Sequence, residues 1–230
     1  MTTQEFLKEL DSRIAKYDLL CHPFYEAWSA GELTRDDLQQ YARDYYHHVA
    51  AFPVYLAELS MRLDEGELRR AVLANLCEEK GLHDQPARAH SELWLDFAEG
   101  MGAGRDMRGH EPPAEVRALV NFFHQVAQQG TSEEALAVFY AYESQVPRVA
   151  KEKARGLQEM YGADATTTGY FGLHTTADVH HSKVWRQQLA TLVETNPSSA
   201  ERALASAEAA ARVLWRALDG IEQRRMAKAA

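Results

Sequence analysis

His174-Thr175-Thr176-Ala177-Asp178-Val179-His180-His181 is the stretch whose reading decides both fold class and chemistry. It lies in a segment, about Thr167 to Thr195, with no proline and no strand-type alternation, and it is read as one continuous helix. Each helical residue advances about 100° around the axis, so His174, Asp178 and His181 project within about 40° of one another. Two imidazoles and a carboxylate then converge on one point, a donor set that suits iron, manganese or zinc. The plain alternative is a polar helix face with a chance histidine pair, in a chain that has 10 histidines.

Outward from this stretch the sequence reads as helix almost throughout. A long amphipathic segment starts at Thr34, with Asp36 and Asp37 favourably placed in its first turn; it runs through Tyr41, Tyr45, His48 and Phe52, and Pro53 is expected to bend it. Further segments run from about Gly66 to Lys80 and from about Glu115 to Gln129, the latter ended by Gly130. Ser132 is read as the cap of a helix passing Ala135, Phe139, Tyr142 and Val146 to about Tyr161, and a last one covers Ser199 to Arg225 before a fraying tail, Met226 to Ala230. The glycine- and proline-rich stretch from Gly100 to Pro113 reads as a surface connection rather than a domain linker. The expected architecture is an all-α helical bundle of a single domain.

Composition narrows the function classes. With 230 residues, 46% of them hydrophobic, the chain is long enough to bury a polar site. A formal net charge of −9 and a pI near 5.6 argue against nucleic acid or an anionic membrane as partner. Cys21 and Cys77 are too few for a disulfide framework, and Met1-Thr2-Thr3-Gln4-Glu5 lacks the pattern of a signal peptide, so a cytoplasmic location is expected. No run approaches the roughly 20 apolar residues needed to cross a bilayer.

Three other segments carry ionisable groups in unusual settings. Glu143 sits among aromatic and apolar residues in Phe139-Tyr140-Ala141-Tyr142-Glu143-Ser144-Gln145-Val146-Pro147, where a buried charge needs a partner. Pro147 crowds the carbonyl four residues earlier, so the helix should bend at Glu143. In Glu78-Glu79-Lys80-Gly81-Leu82-His83, followed by Pro86 and His90, Glu79 pairs with His83 or His90; taken alone, the cluster reads as a solvated helix end. Tyr25 lies on a short helix with an aromatic face, in the setting of an ordinary core tyrosine. Lys153 reads by itself as a surface lysine, and a straight helix would leave it about 15 Å from Glu143. Together, Glu79, His90, Glu143, His174, Asp178 and His181 offer three carboxylates and three imidazoles, whose charge nearly balances two divalent cations. Paired Glu-x-x-His motifs of the ferritin type are absent, as is His-Glu-x-x-His, and structural zinc would normally recruit cysteines.

Four motifs in combination carry a family resemblance: His22-Pro23-Phe24-Tyr25-x2-Trp28-x2-Gly31-Glu32-Leu33-Thr34; Tyr41-Ala42-x-Asp44-Tyr45-Tyr46; Tyr142-Glu143-Ser144-Gln145-Val146-Pro147-Arg148-x3-Glu152-Lys153; and Ala177-Asp178-Val179-x-His181. Over roughly residues 5 to 220 the chain resembles the Chlamydia protein associating with death domains and its bacterial relatives, a 4-aminobenzoate synthase family. The resemblance implies the haem-oxygenase-like helical fold shared with thiaminase-like and pyrroloquinoline-quinone-synthesis proteins. It implies an oxygen-dependent, self-sacrificing oxidase that makes 4-aminobenzoate for folate synthesis, with an internal tyrosine as ring source and an internal lysine as amino donor.

Carried over by matching residues, the resemblance makes Glu79, His90, Glu143, His174, Asp178 and His181 the ligands of two metal ions, iron with iron or manganese with iron. Tyr25 becomes the consumed tyrosine and Lys153 the amino donor, with O2 and an external reductant as cosubstrates. The electron donor is left unnamed, and a homodimer is admitted. The spacing from Glu79 to His90 is longer than the family's by about one helical turn, which keeps His83 as a competitor for that position. Tyr41, Tyr45, Tyr46 and Tyr142 are candidates for electron relay or, more simply, packing. Two alternatives stand beside this reading: a multiple-turnover dimetal oxidase acting on a small amine or lipid, and a non-enzymatic death-domain-binding module, for which the sequence offers no basic patch or separate interaction domain.

Overall fold

The computed structural model describes residues 1–82, 87–107 and 109–229, and among these every regular element is helical. In chain order they are α1 (Thr3–Ala15), a 3-10 turn (Leu19–Cys21), α2 (Pro23–Ala30), α3 (Arg35–Ser60), α4 (Glu67–Glu79), α5 (His90–Met101) and α6 (Ala114–Gln129). Then follow α7 (Ser132–Glu143), α8 (Val146–Tyr161), α9 (Gly169–His174), α10 (Ala177–Thr195), a 3-10 turn (Pro197–Ser199) and α11 (Ala200–Ala229). No helix among the described residues is long and apolar enough to cross a membrane.

Local chemistry sets several of the helix starts. Thr2, Thr34 and Thr131 each cap a helix through a reciprocal box with an acid three residues on: Glu5, Asp37 and Glu134. The cap of α7 is therefore Thr131, not the expected Ser132, because only Thr131 has its acid partner at that spacing. Around the core, α11 packs on α7, α6 and α1, α3 packs on α6, α5 and α4, and α10 lies against α7. A stripe of buried alanines on α11, including Ala203, Ala207, Ala210 and Ala217, allows this close packing.

The structure corrects two boundaries. The segment from Thr167 to Thr195 is not one helix: α9 stops at His174 and α10 starts at Ala177, with the Thr175 hydroxyl donating to Gly172 O at 2.7 Å and that of Thr176 to Leu173 O at 3.2 Å. These side chains satisfy carbonyls that a continuing helix would have used. The segment from Thr131 to Tyr161 is likewise broken into α7 and α8 at Ser144-Gln145, beside the expected Glu143–Pro147 bend. Pro53, expected to bend the long helix, lies inside α3, which continues past it to Ser60. The last helix runs from Ala200 to Ala229, and Lys228 Nζ reaches Asp36 Oδ2 on α3 at 3.1 Å.

The crossing of α2 and α8 is unusually close. Gly156 on α8 faces α2 so tightly that a Cβ there would lie 2.9 Å from Trp28 Cδ1, and Trp28 Nε1 donates to Lys153 O at 3.4 Å. This approach lays Lys153 across the aromatic face of α2.

Candidate metal centre

The six carboxylates and imidazoles singled out in the sequence all meet in the core, as two triads. Glu79, His90 and His174 form one and Glu143, Asp178 and His181 the other, each able to offer three donor atoms within 4.8 Å of one another. All six are buried. Their backbone positions explain why: Glu79 ends α4, His90 begins α5, Glu143 ends α7 and His174 ends α9, while Asp178 and His181 lie near the start of α10. Helix ends can aim side chains into one space from several directions, which a single helix face cannot do. The single convergence point expected for His174, Asp178 and His181 is accordingly corrected: the break at Thr175-Thr176 sends His174 to one triad and the other two to its neighbour. The competing His83 lies outside the described residues.

In the first triad, His174 Nδ1 donates to Tyr170 O at 2.7 Å, which fixes its tautomer and leaves the Nε2 lone pair free. His90 Nδ1 lies 2.9 Å from Glu79 Oε1, yet it is buried without a hydrogen bond of acceptable geometry. Burial would raise the Glu79 carboxyl, but His90, His174 and His181 outweigh it and hold the group below its ordinary range.

The second triad is more fully engaged. Glu143 accepts from Asn75 Nδ2 at 3.0 Å and from Trp185 Nε1. His181 Nδ1 faces Asp178 Oδ1 at 3.2 Å and Glu143 Oε1 at 3.6 Å, while its Nε2 lies 2.7 Å from Glu78 Oε2. Burial pushes Glu143 up to about 8 against the pull of His181. For His181, burial acts downward but is outweighed by Asp178, Glu143 and Glu78, which bring it up to about 10. Such a cluster of carboxylates and imidazoles fits a pair of cations: three carboxylates supply charge, and the His90 nitrogen faces a carboxylate oxygen with which it makes no satisfactory hydrogen bond.

Lys153 is not the surface residue its sequence neighbours suggest; it is only 5% exposed. Its Nζ donates to Tyr25 Oη at 2.8 Å and also to Tyr41 Oη, and the two hydroxyls lie 3.1 Å apart. Burial drives the Lys153 amine well below its usual range, and no carboxylate among the described residues pairs with it. Burial likewise raises the Tyr25 phenol, so burial favours the uncharged form of both groups, an amine beside a phenol. Tyr25, Lys153, Tyr45, Trp94, Tyr142 and Tyr170 are among the residues lining a cavity of about 20 Å³, enough for one water-sized group. A second space of about 10 Å³ is lined by Glu79, Glu143, His174 and Asp178, and Tyr142 and Tyr170 wall both.

Sequence reasoning missed Tyr41 as a partner of Lys153, Asn75 and Trp185 as donors to Glu143, and Glu78 beside His181. Trp185 and Asn75 carried a signal, lying one helical turn beyond His181 and one before Glu79 on the same faces. Of the other tyrosines, Tyr45 and Tyr142 are buried in the aromatic core whereas Tyr46 is only half-buried.

Known proteins share both the sequence and the fold. Residues 39–215 match a protein family described as iron-containing redox enzyme. A 4-aminobenzoate synthase of Chlamydia muridarum is 39% identical over 183 residues, covering 79% of this chain and 76% of that protein. A 4-aminobenzoate synthase of Nitrosomonas europaea is 34% identical over 97% of this chain and 93% of its own length. In fold, the chain is similar to a TenA homologue of Pseudomonas syringae, with a TM-score of 0.81, 16% identity and coverage of 96% of this chain and 92% of that one.

Proposed function

The chain belongs to the family of iron-containing redox enzymes with a haem-oxygenase-like fold and is an oxidoreductase; from this premise we propose that it makes 4-aminobenzoate from its own Tyr25, with Lys153 as nitrogen donor. The observation that carries the reading is the buried Lys153 amine, 2.8 Å from the Tyr25 hydroxyl in a core that also holds the two triads.

The product's carbon skeleton is a six-carbon ring bearing one carboxyl carbon, which corresponds to the tyrosine ring with its Cβ. Making it therefore requires two bond changes: cutting the Cα–Cβ bond, with oxidation of Cβ from methylene to carboxyl at the expense of O2, and replacing the ring C–O bond by C–N, with the nitrogen parting from Lys153 Cε. Lys153 Nζ sits beside that oxygen, and its depressed basicity keeps a lone pair available for the ring. Tyr41 Oη, bonded to both partners, holds the amine against Tyr25. The close crossing at Gly156 brings α8 near enough to α2 for this contact, and aromatic side chains wall the space beside it.

Neither bond change lies within reach of acid–base side chains. Glu79, His90 and His174 would hold one metal ion and Glu143, Asp178 and His181 a second, iron with iron or manganese with iron. Bound there, the ions would supply oxidising power from O2, with electrons from an external reductant. The product would serve folate synthesis.

The test follows isotope and mass together. Metal-loaded, reduced protein carrying ring-labelled tyrosine is exposed to O2 without added aromatic substrate. Labelled 4-aminobenzoate should be released, at no more than about one molecule per chain, with a matching loss of mass from the intact protein. Tyr25→Phe should abolish it with metal content unchanged, and Lys153→Arg should fail because guanidinium is a poor nitrogen donor. Product from the Tyr25→Phe protein, or many turnovers of an added amine or lipid, would overturn the reading.

A further inference from the structure

We infer that the two triads are inequivalent: Glu79, His90 and His174 take up a later, nitrogen-preferring divalent metal first, and Glu143, Asp178 and His181 keep the harder, oxygen-preferring ion. This rests on the reading of both triads as metal sites. The donor atoms differ between them. The first triad offers one carboxylate and two imidazoles, the second two carboxylates and one imidazole. With a divalent cation the first therefore carries a net charge of about +1 and the second about zero. Imidazole suits iron, cobalt, nickel and zinc, whereas carboxylate oxygen suits manganese and magnesium.

The hydrogen bonds point to the same order. In the first triad, His174 has its Nδ1 tied to Tyr170 O and its Nε2 free, and His90 Nδ1 meets Glu79 Oε1 at 2.9 Å without a hydrogen bond of acceptable geometry, so an incoming ion displaces only that one contact. In the second, Asn75 and Trp185 already donate to both Glu143 oxygens, which draws electron density from that donor. His181 is held on one side by Asp178 and on the other by Glu78. An ion entering there has to disturb more interactions than in the first triad, where Glu79 and His90 make the one contact between donors.

The test uses cobalt and manganese. The full-length metal-free chain is given one equivalent of Co(II) and one of Mn(II) and crystallised. Anomalous diffraction on either side of the cobalt edge then locates each metal. Cobalt should occupy the Glu79–His90–His174 site and manganese the Glu143–Asp178–His181 site, each with about tenfold preference, equivalent to about 1.4 kcal/mol. In solution, the visible absorption of the first cobalt equivalent should disappear in His174→Ala and persist in Asp178→Ala. Equal mixing, or the reversed arrangement, overturns the inference while leaving a two-metal centre standing. Absence of metal from both sites overturns the inference and the metal-centre reading together.

Discussion

Replacing Lys153 by methionine tests the electrostatic state of the site directly. Methionine keeps the unbranched length of the side chain but cannot be protonated. Two opposing effects act on the lysine. Its Nζ lies 4.2 Å from the Tyr25 ring centre and 4.5 Å from that of Tyr41, a geometry worth about 2 kcal/mol to a desolvated cation. Burial without a carboxylate costs a cation several kcal/mol, so desolvation outweighs the rings and favours the neutral amine. The unfolded chain binds a proton at Lys153 up to about pH 10.4, whereas the folded chain gives it up well below that. Throughout the window between these two values the unfolded state holds the extra proton. Native stability contributed by this group therefore rises with pH, and is lost as pH falls, by about 1.4 kcal/mol per unit. Lys153→Met removes that slope. The hydroxyls of Tyr25 and Tyr41 still bond each other at 3.1 Å, so the substitution leaves neither phenol without a partner. Urea unfolding of metal-free protein should show the variant to be the more stable at neutral pH, with its advantage shrinking by about 1.4 kcal/mol from pH 8 to pH 9. A stability difference that does not change with pH would mean that the folded state keeps the lysine charged, and the case for a free amine beside Tyr25 would collapse.

Other perturbations reach different parts of the structure. Gly156→Ala gains about 1 kcal/mol of helix propensity but drives a Cβ to within 2.9 Å of Trp28; net destabilisation by about 1–3 kcal/mol in thermal melts is expected, and net stabilisation would show that α2 and α8 are not in close contact. Trp185→Phe keeps an aromatic ring against Phe139 but removes a donor from Glu143, and should weaken metal retention about 10- to 100-fold by equilibrium dialysis, with unchanged retention counting against that hydrogen bond. Tyr41→Phe should slow release of ring-labelled product without abolishing it; complete loss with metals retained would make Tyr41 rather than Tyr25 the consumed ring. His90→Ala should impair metal loading while His83→Ala leaves it nearly intact, and the reverse pattern would move the ligand to His83.

The all-α class and much of the candidate centre were legible in the sequence because both depend on local rules. Helical spacing puts Asp178 and His181 on one face, and a carboxylate between Tyr142 and a proline-bent segment signals burial at Glu143. Periodicity also misled where side chains compete with the backbone: Thr175 and Thr176 end α9, so His174 parts from Asp178 and His181, which spacing alone had joined. Lys153 carries no local mark of its role. Between Glu152 and Ala154 it looks like any solvated lysine, and its burial follows from the crossing of α2 and α8 at Gly156. Tyr41 and Glu78 were hidden for the same reason: they meet residues 112 and 103 positions away in the chain. Spacing along a helix sets which side chains share a face, but the meeting of two faces is decided by the packing of the whole core, a sum of many contacts that no short stretch contains.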